Sequence, residues 1–242
     1  MVGFDQVEVS ERYNSIPTIW DVNDKWHSRT HDMIKSFITT SVMSIPQEQR
    51  AKTLNAGSAG YSYDLGETGM CHLDLAKTKI SSLSNAVLGN VQKMPFKSST
   101  FGLIVCVGSV INYCDPVRVF EEFKRLLITK GYLILEFESS RTLELLGKPS
   151  FNNSVVLTDT FYNGTKERLW YFSERFVQQL ALEFEFEICA RDTCHVISPL
   201  VYRMIRSESF ASRFAFLDGF LHRIPGINLF ASNVIYLFRN KS

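Results

Sequence analysis

Apolar and polar positions along the chain alternate between a helical period and short strand-like runs. From Asp32 to Met43 the residues Met33, Ile34, Phe37, Ile38 and Val42 recur at helical spacing, and Pro46 closes the segment. An aromatic stretch precedes it, with Phe4, Tyr13, Trp20 and Trp26, and His27 beside the last. Residues 1–50 are too short for a domain. They either pack on a sheet edge or fold over a ligand as a lid. Strand-like runs follow at 53–56, 70–75 and 86–91, with a short helix over 76–84 between the last two. Phe101 to Val107 is the most apolar run, as suits a central strand covered on both faces.

Asp115-Pro116 is a helix start, and Val117, Phe120, Phe123, Leu126 and Leu127 give that helix an apolar face. Lys130-Gly131 is its predicted end, and Tyr132 to Phe137 the fifth strand. Residues 141–170 are mixed and polar and carry no predicted element. Ser173 to Leu182 is a further helix, with Phe176, Val177 and Leu180 on one face. Phe184 to Ala190 alternates Phe184, Phe186 and Ile188 inward with Glu183, Glu185 and Glu187 outward, a strand pattern. Residues 198–228 place Phe210, Phe214, Leu217 and Leu221 at helical spacing, ended by Pro225-Gly226, and Val234 to Phe238 is a last strand.

Strand, helix and strand in this rhythm predict an α/β fold with a parallel sheet. The boundaries are a helical or lid segment at 1–50, a core at 51–197, a helical cap insertion at 198–230 and the last core strand at 231–242. The link Ser58 to Gly69 holds Gly60, Gly66 and Gly69. It barely reaches the roughly dozen residues that a parallel crossover needs, so the first crossover is expected without a full helix.

Composition narrows the functional classes. Lys+Arg number 26 against Asp+Glu 25, which argues against duplex nucleic acid as a partner. Cys71, Cys106, Cys114, Cys189 and Cys194 form no C-x-x-C pair. They are expected as buried reduced thiols of a cytosolic protein, with no metal site. Met1 to Asn14 lacks the apolar core of a signal peptide, and Leu103 to Ile111 is far short of a membrane span. A soluble cytoplasmic protein is the expectation.

Candidate chemistry gathers at three strand ends. Leu54-Asn55-Ala56-Gly57-Ser58-Ala59-Gly60 is a strand turning into a glycine-rich loop. Cys71-His72-Leu73-Asp74-Leu75 ends in an acid, and Val87-Leu88-Gly89-Asn90-Val91 in a polar residue. Such ends build a nucleotide-shaped pocket at the carboxyl edge of an open parallel sheet.

With Met94-Pro95-Phe96, Phe101 to Val105, Glu121 to Leu133 and Ser232 to Phe238 in order, residues 50–140 resemble the class I S-adenosylmethionine-dependent methyltransferases. The sequence departs from that pattern at Asn55, Ala59, Asn90 and Gly102, where the family has an acid, a glycine, an acid and an acid. The resemblance implies a Rossmann-like seven-stranded, mostly parallel sheet with an antiparallel last strand, plus the helical cap insertion. It implies S-adenosylmethionine as cofactor, held by Asn55, Gly57, Ser58, Gly60, Asp74, Asn90, Val91 and Gly108, with Asp74 on the ribose diol. Tyr113, His195, His27 and Glu138 stand at the expected pocket rim as candidate bases.

Amino-methylating nucleic-acid enzymes of the family carry an Asn/Asp-Pro-Pro-aromatic run after the fourth strand. Ser109-Val110-Ile111-Asn112-Tyr113 has none, so a small-molecule acceptor is the expectation. The aromatic 198–228 stretch is open to three readings: a cap over an apolar substrate, a homo-oligomer face, or core. A degraded, non-catalytic scaffold is the alternative. A nicotinamide enzyme ranks last, because Ser58-Ala59 between Gly57 and Gly60 breaks the G-x-G-x-x-G spacing.

Overall fold

The computed structural model describes residues 4–21, 23, 25–66, 68–162, 165–205, 210, 213 and 226–242. Seven strands form one sheet in the order β3-β2-β1-β4-β5-β9-β8. They are β1 (Thr53–Ala56), β2 (Met70–Asp74), β3 (Ala86–Leu88), β4 (Phe101–Cys106), β5 (Leu127–Glu138), β8 (Phe186–Cys194) and β9 (Asn233–Asn240). The first five run parallel, and β9 runs antiparallel to both β5 and β8. The chain reverses strand order beside β1, so the carboxyl ends of β1, β2 and β4 flank one crevice.

Two layers cover the sheet, and each strand's alternation decides which layer a residue meets. Helix α2 (Lys25–Ser44) buries Ile34, Phe37 and Ile38 against Leu103, Val105, Ile134, Ile235 and Leu237. Helices α5 (Pro116–Leu126) and α6 (Glu174–Glu183) pack on the other face over Ile104, Cys106, Leu133, Leu135, Tyr236 and Phe238. All six residues of β4 are buried for this reason, as the unbroken apolar run predicts. Asp115 caps α5 by accepting from the Val117 amide at 3.0 Å, with Pro116 in the first turn. No helix lies between β1 and β2 among the described residues. The short α4 (Lys77–Ile80) joins β2 to β3.

Several expectations need correction. The 141–170 stretch, which carries no predicted element, holds most of an antiparallel hairpin of β6 (Val155–Tyr162) and β7 (Thr165–Phe172). Asn163-Gly164, between the two strands in the sequence, is a strong sequence signal for a hairpin. Lys130-Gly131 lies inside β5, which starts where α5 stops at Leu126; Leu127 is its first residue, and Val117 stays exposed. Phe184 is the C-cap of α6, and Ile188 is exposed. A bulge between Ile188 and Ala190 shifts the register of β8, so strict alternation fails along this edge strand.

In the 198–230 stretch, α7 (Ser198–Ile205) and a 3₁₀ turn at Ile227–Phe230 are described. Phe214, Leu217, Leu221 and Pro225 lie outside the described residues, and Phe210 is exposed. Cys106, Cys114 and Cys194 are buried, Cys71 is half-buried and Cys189 exposed.

Candidate functional site

The glycine loop leaves β1 and bends over the end of β2. The Gly57 amide donates to the Leu73 carbonyl at 2.7 Å. Gly57 has φ +76°, and a Cβ there would overlap the Val110 side chain, so glycine is required twice over. Ala59 holds φ +45°, a left-handed conformation that costs about 1–2 kcal/mol for a residue with a Cβ. Its amide donates to Asp74 Oδ2 at 2.7 Å, and the Ala76 amide donates to Asp74 Oδ1 at 2.7 Å. Asp74 therefore ties the loop to β2. A carboxylate has about four acceptor positions, so each oxygen keeps capacity toward the crevice. Burial raises the Asp74 pKa, and the amide hydrogen bonds oppose that shift.

Gly57, Ser58, Asp74, Val91 and Gly108 line one cavity at the carboxyl edge of the sheet. Asn55, Gly60 and Asn90 do not. Asn55 is wholly buried beneath the loop and donates to the Tyr61 carbonyl at 2.6 Å, shaping the loop from below. At Gly60 a Cβ would run into the Lys79 carbonyl, so the loop passes close to α4 there. Asn90 turns its Oδ1 back to the Gln92 amide at 2.8 Å, a local side-chain turn.

The turn after β4 is held from behind. Glu136 of β5 is fully buried and accepts from the Ser109 amide at 2.6 Å and from Asn233 Nδ2 at 2.8 Å. Ser109 has φ +58°, and these bonds hold it there. Glu138, two residues on and on the same face, lines the cavity. Ser109 Oγ donates to it at 3.3 Å, and Tyr171 of β7 hydrogen-bonds it. Burial, with the nearby carboxylates Glu136, Glu167 and Glu144, pushes Glu138 up to about 8.

The other candidate bases fall in different places. The Tyr113 hydroxyl donates to Glu167 of β7 and accepts from Arg12 at 3.1 Å and Tyr13 at 3.2 Å. Burial raises its pKa well above the ordinary phenol value, so it is a poor base near neutral pH. His27 lines the cavity. His195 does not: it is fully buried, stacked on Trp26 at 4.3 Å, with Nε2 2.8 Å from Thr30 Oγ1, and it fastens α2 to the end of β8.

The N-terminal segment forms the remaining wall. Helix α1 (Gln6–Ser15) and the link to α2 bring Gln6, Tyr13 and Trp20 to the cavity. Ser10 Oγ donates to the Leu75 carbonyl at 2.8 Å, and Arg12 pairs with Glu167. Arg12, Glu144, Glu167 and Tyr171 were not singled out by sequence reasoning. Glu167 and Tyr171 sit on the hairpin that the Asn163-Gly164 signal marks, whereas no sequence pattern pairs Arg12 with Glu167, 155 positions further along the chain. The described lining contains Asp74, Glu138, Glu144 and Glu167 and neither lysine nor arginine.

A family model described as a methyltransferase domain matches residues 53–135. Residues 53–135 carry a methyltransferase domain of the S-adenosylmethionine-dependent kind. No curated protein matches this methyltransferase in sequence. Solved structures resemble it in fold. The PH0226 protein of Pyrococcus horikoshii OT3 is 15% identical over 96% of this chain and 99% of its own, with a TM-score of 0.59. An S-adenosylmethionine-dependent methyltransferase of Clostridium acetobutylicum ATCC 824 is 12% identical, with 98% and 99% covered and a TM-score of 0.55. The Burkholderia thailandensis 1,6-didemethyltoxoflavin-N1-methyltransferase, with 1,6-didemethyltoxoflavin and S-adenosylhomocysteine bound, is 12% identical over 98% and 87%, with a TM-score of 0.58.

S-adenosylmethionine is the cofactor of the methyltransferase. The residues present fit it: an acid at the end of β2 for a diol, a glycine-bounded loop for close approach, and an anionic lining for a sulfonium cation. No helix among the described residues is long and apolar enough to cross a membrane.

Proposed function

We propose that this methyltransferase acts on a small-molecule acceptor. The observation that carries the reading is the wall around the cavity. Residues from α1, α2, the β6–β7 hairpin and the start of α7 all face the cofactor crevice, an enclosure that suits a compact acceptor. The near-neutral charge of the chain supports it, as does the 1,6-didemethyltoxoflavin bound by the Burkholderia enzyme.

In this reading Asp74 accepts the ribose hydroxyls and Val91 flanks the adenine. Asn55, Gly57, Ser58 and Gly60 shape the loop beside the amino-acid end, and the Gly108 carbonyl faces its ammonium. Bound S-adenosylmethionine supplies an electrophilic methyl group with a neutral thioether as leaving group. The protein orients the acceptor and excludes water, the larger part of such catalysis. Where the acceptor must lose a proton, Glu138 is the cavity group placed to take it. Residues 1–50 serve as the cover, 51–197 with 231–242 as the catalytic core, and 198–230 as the cap.

Calorimetric titration with S-adenosylhomocysteine, on wild type and Asp74→Ala, tests the site. Micromolar binding lost in the variant is expected. An acceptor screen of small amines, alcohols and carboxylates, set beside RNA and protein fractions, then tests the class. Methylation confined to the macromolecular fractions would overturn the small-molecule reading. Absence of binding by the folded wild type would favour a degraded scaffold.

A further inference from the structure

Glu138 stands in an unusual electrostatic position. It sits at the carboxyl end of β5, where the cofactor crevice meets the hairpin wall, and it lines the cavity. Among the described residues, the charged groups that neighbouring elements bring to it are acidic or already engaged. β5 itself supplies Glu136, held by the Ser109 amide and Asn233. The segment after β5 supplies Glu144, and β7 supplies Glu167, paired with Arg12 of α1. Tyr171 of β7 and Ser109 of the post-β4 turn hydrogen-bond it, and the neutral Tyr113 and Tyr13 line the same cavity. Asp74 and His27 line the same cavity. A carboxylate so surrounded is disfavoured until a cation enters. Burial and the neighbouring acids accordingly raise it to about 8.

We propose that Glu138 senses the charge of the methyl donor: the site releases a proton from Glu138 when the cationic donor binds, and releases none there when the neutral thioether product binds. The proposal rests on the cofactor reading of this cavity. Donor and product share the same adenosine and amino-acid ends, so the sulfonium charge is the difference that Glu138 meets. The consequence is a site that retains its donor and discards its product increasingly well as pH rises. Below the titration of Glu138, the donor carries the cost of ionising it. Above, the carboxylate is already charged and attracts the donor alone. Linkage then makes the donor-to-product affinity ratio rise by up to about tenfold per pH unit, levelling off near the titration of the free site.

The test is calorimetry of the whole protein at about pH 7 in two buffers of different ionisation enthalpy, with S-adenosylmethionine and S-adenosylhomocysteine as probes. Most of a proton released with the former and none with the latter is expected. Glu138→Gln should abolish the difference, whereas Glu144→Gln should retain it. Equal proton counts for the two probes in wild type would overturn the inference while leaving the cofactor site intact. So would a difference that persists in Glu138→Gln. If Glu138→Gln fails to fold, the wild-type affinity ratio between about pH 6 and 8 decides: a rising ratio supports the inference and a flat one overturns it. Failure of both probes to bind would instead remove the cofactor reading itself.

Discussion

At the scale of single residues, the loop after β1 shows how closely backbone geometry and chemistry are joined. Gly57→Ala would add both a left-handed strain and an overlap with Val110. It should cost about 2 kcal/mol or more in urea unfolding and weaken S-adenosylhomocysteine binding with it. Ala59 already sits at φ +45°. Ala59→Gly relieves that strain but adds freedom to the unfolded chain, so stability should change by no more than about 1 kcal/mol. Asp74→Ala removes the acceptor of two loop amides. It should lower stability by about 1–3 kcal/mol besides weakening the cofactor at least tenfold by calorimetry. These residues were legible because a glycine loop and an acid at a strand end are local patterns. What the sequence does not reveal at this scale is that Asn55 and Asn90 turn away from the cavity, since the direction of a side chain is set by its neighbours.

At the scale of elements, Gly102 explains one departure from the family pattern. A Cβ there would overlap the Gln49 carbonyl of the short helix α3 (Gln47–Arg50). The acid that the family resemblance leads one to expect at this place is sterically excluded by a segment preceding the sheet. Gly102→Asp should therefore destabilise the protein by about 2 kcal/mol or more, read as a lowered midpoint in urea. Helix α1 has no buried residue of its own. Its attachment combines the partly buried Val9 and Tyr13, packed on the core, with polar contacts such as Ser10 to Leu75 and the Arg12–Glu167 pair with Tyr113. Breaking a largely buried pair leaves an uncompensated charge. Glu167→Gln should speed amide exchange along α1 while the sheet stays protected.

The long helices and central strands were readable from periodicity because each buries a continuous face. The hairpin is hidden from a periodicity reading because its β7 strand carries charge among apolar residues, with Glu167 buried beside Leu169 and Tyr171. That charge makes sense only beside Arg12. The edge strand β8 misleads in a different way, since a bulge shifts its alternation by one residue.

At the scale of the whole molecule, the anionic cavity gives stability a pH dependence of known sign. Folded Glu138 holds its proton to about 8, whereas its ordinary value is 4.5. Between those values the folded state binds more protons at this position than the unfolded state. Its contribution to stability is lost as pH rises through that window. Glu138→Gln should raise the thermal midpoint relative to wild type at about pH 8–9 and change it little near pH 4–5. Saturating S-adenosylmethionine should narrow the gap, because its cation favours the ionised carboxylate.

The sequence by itself determined the α/β class, the order of the core elements, the reduced first crossover and the place of the glycine loop. Each follows from a local period or a short motif, and burial of an apolar face needs no knowledge of which residue lies opposite. Only the tertiary structure decided which acids share the cavity with Glu138, that Tyr113 is locked between α1 and β7, and that Gly102 makes room for α3. Those outcomes depend on contacts between segments far apart in the chain. Electrostatic energies in a buried site follow the distance between charges in space, which no local pattern records.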